Sequence, residues 1–113
     1  MLIDTKDYTP KLMGAIGQLG TAAQATLAGF HALDSAAAKG GKLDAKTREL
    51  ISLAVAVTTR CDGCIAVHSA AAAKAGASRE EVAEALSVAI ALNAGAALVY
   101  SARALDAFGQ QSG

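Results

Sequence analysis

The sequence predicts an all-α fold, a single compact domain of five or six helices over residues 1–113. Three observations carry this. No stretch alternates apolar and polar side chains for long enough to make a strand. Helix-starting and helix-stopping residues punctuate the chain instead. Hydrophobic residues make up 53% of the chain, much of it alanine, while aromatics supply only 4%. Alanine is the best helix former but buries little area per residue, so each helix contact in such a core contributes little. A small domain of this kind completes its core against copies of itself, and a homo-oligomer is expected.

Element by element, Thr9-Pro10 reads as a cap followed by proline at the first helical position, where a missing N–H costs nothing. Leu12, Ile16 and Leu19 then form a short apolar stripe ending near Gly20. Thr21 to Gln24 reads as a capping box opening a second helix, with Leu27, Phe30 and Leu33 inward and Lys39-Gly40-Gly41 as the stop. Asp44 caps a third helix from Ala45 to about Thr59. Its run Leu50 to Val57 suits a buried strand by periodicity alone, but the cap and the polar first turn favour helix. A break at Thr58 to Arg60 precedes a fourth helix from the cysteines to Ala75, closed by Gly76. Ser78-Arg79-Glu80-Glu81 is another capping box, starting a fifth helix through about Leu92. Asn93-Ala94-Gly95 is expected to kink or break it before a last helix reaching Phe108, and the tail from Gly109 to Gly113 is expected to fray.

Ten basic and ten acidic side chains cancel. No polybasic patch offers itself to nucleic acid or anionic lipid, and the few aromatics remove the stacking platforms that single strands need. No cationic start followed by an apolar run marks a signal peptide. The most apolar stretch, Ala83 to Tyr100, is interrupted by Glu84, Asn93 and Gly95, leaving no uninterrupted part long enough to span a bilayer. Neither a nucleic-acid nor a membrane partner is expected, and the expected compartment is the cytoplasm. There a cysteine pair is redox-active or metal-binding more often than a static staple.

The only two cysteines stand three apart, in Cys61-Asp62-Gly63-Cys64, with His68 following and Glu49 twelve residues before Cys61. At i, i+3 and i+7 of a helix, Cys61, Cys64 and His68 share one stripe. A dithiol with an imidazole one turn away has the parts for thiol–disulfide exchange or peroxide reduction. Arg60 and the positive end of a helix would favour a thiolate there, with Asp62 opposing. If the third and fourth helices fold back near Thr59-Arg60, Glu49 and His68 lie at depths that differ by about one turn, so carboxylate and imidazole can face each other. Two blander readings stand beside this one: a buried, unused dithiol, and a structural zinc site, for which one pair and one histidine give three ligands of the four needed. His31, Tyr8 and Tyr100 carry no ligand or catalytic spacing and are read as packing or surface residues.

The string Leu43-Asp44-x-Lys46-x-Arg48-Glu49-Leu50-Ile51, with Arg60-Cys61-x-Gly63-Cys64-Ile65-x-x-His68, resembles the alkylhydroperoxidase D-like group of the carboxymuconolactone decarboxylase family. The glutamate, the eleven-residue gap and the C-x-x-C-x-x-x-H pattern all match. The resemblance is strongest over residues 43–108. It implies an all-helical oligomer, a trimer or hexamer, acting as a thiol-dependent peroxidase or disulfide oxidoreductase in antioxidant defence, with no cofactor and no metal. By that resemblance Cys64 attacks a hydroperoxide, Cys61 closes a disulfide with it, Glu49 and His68 relay the proton, and an external dithiol or redox protein resets the pair. The best-studied members of the group carry a second histidine just before the second cysteine, where this chain has Gly63. The alternatives are a cysteine-independent decarboxylase of the same family and a zinc-binding or non-catalytic oligomeric protein.

Overall fold

The structure is a computed structural model that describes residues 1–112. The described residues form five α-helices and no strand: α1 (Thr5–Ala22), α2 (Gln24–Ala38), α3 (Ala45–Thr59), α4 (Asp62–Lys74) and α5 (Arg79–Ser112). The all-α expectation holds, with corrections at several helix ends.

The start of α1 is Asp4, whose carboxylate accepts from the N–H groups of Lys6 and Asp7 at 3.1 and 3.3 Å. That cap satisfies two first-turn donors, so the helix begins ahead of the expected Thr9-Pro10 start. Pro10 therefore lies inside the helix, where its ring removes one backbone bond. The expected Thr21–Gln24 capping box does not form either. Thr21 belongs to the end of α1, its hydroxyl donating to the Gly17 carbonyl at 3.2 Å, and Ala23 (φ −136°, ψ 64°) turns the chain alone. Gly20 allows this tight hairpin, because a Cβ there would fall on the Leu27 side chain. Leu27 is half-buried, but Phe30 and Leu33 are 57% and 71% exposed, so the expected inward face of α2 finds no cover within the chain.

Local signals hold where they are strongest. Asp44 accepts from the Thr47 N–H at 2.8 Å and starts α3 as expected. Ser78 and Glu81 form a reciprocal capping box before α5, at 2.9 and 3.0 Å. Gly76, with φ of 88°, closes α4 in the left-handed conformation a C-terminal glycine supplies.

The centre is α3, which packs against both α4 and α5; α1 rests on α4, and α2 on α1. Lys46 bridges to Glu81 at 2.8 Å near the start of α3 and α5, and Asn93 donates to the Thr58 hydroxyl at 2.9 Å near the end of α3. The two helices therefore run parallel. The expected break at Asn93–Gly95 does not occur, because the Asn93 amide also donates to the Ala89 carbonyl at 2.7 Å and is satisfied without leaving the helix. Nor does the helix end at Phe108; it runs through Gly109 to Ser112, while Gly113 lies outside the described residues. As one continuous helix, α5 is long and apolar enough, by length and composition, to cross a membrane, which corrects the reading of that stretch as interrupted. A core helix of a larger protein body passes the same test.

Among the described residues the buried ones are Leu53, Ala56, Ala66, Ala72 and Ala89, all on α3, α4 and α5. That core is small. The radius of gyration is 18.4 Å. A compact chain of this length would have about 13 Å.

A candidate redox site where two helices meet

The site is built at the turn from α3 into α4. Arg60 ends α3 at φ 55° and ψ 51°. That left-handed conformation costs a residue with a Cβ roughly 1–2 kcal/mol. The Cys61 N–H then donates back to the Ala56 carbonyl at 3.0 Å, locking the turn. Cys61 is the N-cap of α4, and its Sγ accepts from the Cys64 N–H at 3.2 Å. Cys64 therefore sits in the first helical turn, where unpaired N–H groups favour negative charge on a sulfur. The two cysteines are joined as a disulfide, with Cα atoms 5.2 Å apart. Both are half-buried.

One turn further along α4, His68 meets α3. Its Nδ1 lies 2.6 Å from Glu49 Oε2, a short polar contact between the two helices. The side chains are 30% and 23% exposed, so the bond is shielded yet reachable by water. With Nδ1–H donating to the carboxylate, Nε2 is the nitrogen left to accept a proton. All four residues singled out in the sequence thus come together: Cys61 and Cys64 as a bonded pair, Glu49 and His68 as a bonded pair, on two turns of one helix and the face of its neighbour.

A cleft of about 470 Å³ opens beside this arrangement, lined by Glu49, His68, Arg48, Ser52 and Ile51, with Asp34 from the end of α2. Neither cysteine lines it; the cleft reaches Glu49 and His68 and not the sulfurs. Arg48 is held there by a 2.6 Å bond from its guanidinium to the Leu43 carbonyl. Among the described residues no group of three or more His, Cys, Asp or Glu side chains stands close enough to hold a metal ion.

Two features escape a reading of the sequence. Leu12 of α1 packs onto Gly63: a Cβ on Gly63 would lie 2.5 Å from the Leu12 Cδ2. The helical arm α1 thereby fills the space at Gly63, the residue just before Cys64. No local signal links residue 12 to residue 63. The left-handed Arg60 is the other, since only glycine or asparagine would have advertised that conformation.

Known proteins share this arrangement of helices. The model of the carboxymuconolactone decarboxylase family matches residues 24–107. An uncharacterized protein of Haemophilus influenzae is 56% identical over 111 residues, covering 98% of both chains. Another, described as uncharacterized protein 4 in the cox locus of Paracoccus denitrificans, is 38% identical over 96 residues, covering 85% of this chain and 86% of its own. The crystal structure of an apo carboxymuconolactone decarboxylase family protein from Legionella pneumophila superposes with a TM-score of 0.73 at 38% identity, covering 94% of this chain and 95% of the other. With the family model spanning most of its helices and a solved member sharing its fold, the chain belongs to the carboxymuconolactone decarboxylase family.

Proposed function

We propose that the protein is a thiol-dependent peroxidase of the alkylhydroperoxidase D-like kind, with Cys61 and Cys64 as its redox pair and Glu49–His68 as its proton relay. The observation that carries this reading is the 2.6 Å bond between His68 and Glu49, one turn from a cysteine that is itself paired as a disulfide. A structural dithiol needs no such relay.

Cys64 loses its proton to His68 Nε2 while Glu49 steadies the resulting imidazolium. The thiolate attacks the nearer oxygen of a hydroperoxide, the O–O bond breaks, and the leaving alkoxide takes the proton from His68. Cys64 becomes a sulfenic acid and the peroxide an alcohol. The Cys61 thiol then attacks the sulfenic sulfur and water leaves, giving the disulfide. An external dithiol, free or on a redox protein, returns two electrons and two protons by thiol–disulfide exchange. The cytoplasm, where such dithiols are kept reduced, suits this cycle.

Titration of the reduced protein's thiols before and after one equivalent of hydroperoxide tests the reading. Two thiols and two hydrogens per chain should be lost, as seen by mass spectrometry of the intact protein. Cys64→Ser should abolish peroxide consumption, and Cys61→Ser should leave a sulfenic acid trapped by dimedone. Unaltered thiol-dependent turnover in both variants would overturn the proposal and point to the family's cysteine-independent chemistry.

A further inference from the structure

A groove of about 580 Å³ runs between α1 and α4. Thr9, Pro10 and Met13 line it from α1, and Ala66, Val67 and Ala70 from α4, so its walls are mostly hydrocarbon. Ala66, Val67 and Ala70 follow Gly63 at i+3, i+4 and i+7 and share its face of the helix. Leu12 meets that face at Gly63, and the residues of α1 ahead of it line the groove with the later turns of α4. The two helices therefore run antiparallel, and the groove points toward the residue between the two cysteines. The Leu12 side chain stands at that end as a stop. It is half-buried, and its Cδ2 is a flexible tip that can turn aside.

The other end carries positive charge. Lys6 lines the groove there, and Lys74 follows Ala70 one turn later on the same face of α4. Among the described residues neither makes an ion pair. The acids nearest Lys6 in the chain are engaged elsewhere: Asp4 caps α1, and Asp7 binds Lys11 at 3.0 Å. From Ala70 back to Gly63 is seven residues, about 10 Å along the helix axis. An apolar trough of that length, cationic at one end and stopped beside a redox pair at the other, matches an anionic head with a hydrocarbon tail.

We propose that this groove holds a fatty-acid-like hydroperoxide, its carboxylate at Lys6 and Lys74 and its tail running to Leu12, so that Leu12 governs whether a peroxide borne on the tail gains Cys64. The assignment of the peroxide rests on the peroxidase reading; the groove's affinity for a carboxylate amphiphile does not. The chemistry is unchanged: one hydroperoxide and two thiols give an alcohol, water and a disulfide. What the groove adds is binding energy from a part of the substrate remote from the reacting oxygen, which holds that oxygen in place. An extended peptide fits less well, because helical walls pair their own backbone groups and would leave most of the peptide's unmet.

Calorimetry with decanoate tests the groove without any turnover. Decanoate should bind the disulfide form of the wild-type protein. Ala70→Phe, which fills the groove from an exposed position, should weaken that binding about tenfold or more. Lys6→Glu should weaken decanoate about twofold to fivefold, and decanol less. Should a variant misfold, nuclear Overhauser effects in the wild type still decide: the decanoate methyl should lie against Leu12 and Met13. No binding, binding indifferent to Ala70→Phe, or a tail lying away from Leu12 would each overturn the proposal. In turnover, linoleic acid hydroperoxide should exceed tert-butyl hydroperoxide in kcat/KM by about tenfold, a preference that Ala70→Phe should erase. Equal values in the wild type would overturn the substrate assignment. Wild-type protein that binds decanoate in the groove but consumes neither hydroperoxide would sink the peroxidase reading and leave the groove's ligand class standing.

Discussion

His68 has two ring nitrogens, and Glu49 engages one of them at 2.6 Å. In the proposed peroxidase cycle the pair transfers a proton only while the carboxylate fixes the ring, so its loss should appear in rate before stability. Glu49→Gln or His68→Gln is expected to slow peroxide turnover by about 10²–10⁴-fold with helicity unchanged, as measured by coupled assay and circular dichroism. Leu12 sets a second expectation. Introducing a histidine at Gly63 drives a side chain into the Leu12 methyl. The tip of Leu12 is flexible and only half-buried, so it can swing aside, and Gly63→His should change stability little in denaturant melts. Gly76 has a φ of 88°. Substitution by alanine there should cost roughly 1 kcal/mol with no effect on the cysteines. The cysteine pair and His68 were legible from their helical spacing, whereas Glu49 stood out through its match to the family pattern, its spacing only allowing it to face His68. Leu12 was not, because its contact with Gly63 joins segments far apart in the chain and depends on how α1 lies across α4.

At the scale of elements, caps decide where helices start. The Asp44 carboxyl is held below its ordinary range by the Thr47 backbone N–H, and Glu81's by the hydrogen bond from Lys46, with Ser78 adding to it. Both are depressed on folding, so their contribution is present above the unfolded carboxylate range of about 3.9–4.3 and is lost as pH falls through the lower folded values. Lys46 is raised by its bond to Glu81. Its contribution is complete below about 10.4 and lost only as pH rises through the higher folded value. The melting temperature should therefore fall from about pH 5 downward, and Asp44→Asn or Glu81→Gln should flatten that fall; all three groups are near solvent, so the effect is small. Asp44, Ser78 and Glu81 could be read directly because a cap acts within one turn. Thr9-Pro10 misled for the same reason: Asp4, a better acceptor one turn earlier, starts α1 first, and a proline does not show from sequence how far the helix extends behind it. Asn93 misled because its amide is satisfied by Thr58, a residue on another helix.

For the whole molecule, the single chain leaves too much of itself uncovered. Phe30 and Leu33 on α2, and Leu98, Leu105 and Phe108 on α5, are each more than half exposed. An inward face predicted from helical phase is inward only relative to something, and for α2 and the outer half of α5 that something is not this chain. The all-α class was legible from periodicity and composition; the sparse core, five buried residues among those described, four of them alanine, was foreshadowed by the same alanine content. Stability should accordingly depend on concentration, with dilution lowering the melting temperature at fixed pH and salt, as differential scanning fluorimetry over a range of about a hundredfold would show.

The sulfur of Cys61 holds the first amide of Cys64 as a helix cap would. Reduction frees the Cys61 sulfur from its bond to Cys64 and so changes the acceptor that the Cys64 N–H meets. A change of oxidation state is therefore felt by the backbone as well as by the sulfurs, and the Cys64 amide should exchange its hydrogen at different rates in reduced and oxidised protein. That amide is a built-in gauge of the protein's oxidation level, readable by nuclear magnetic resonance without any substrate present.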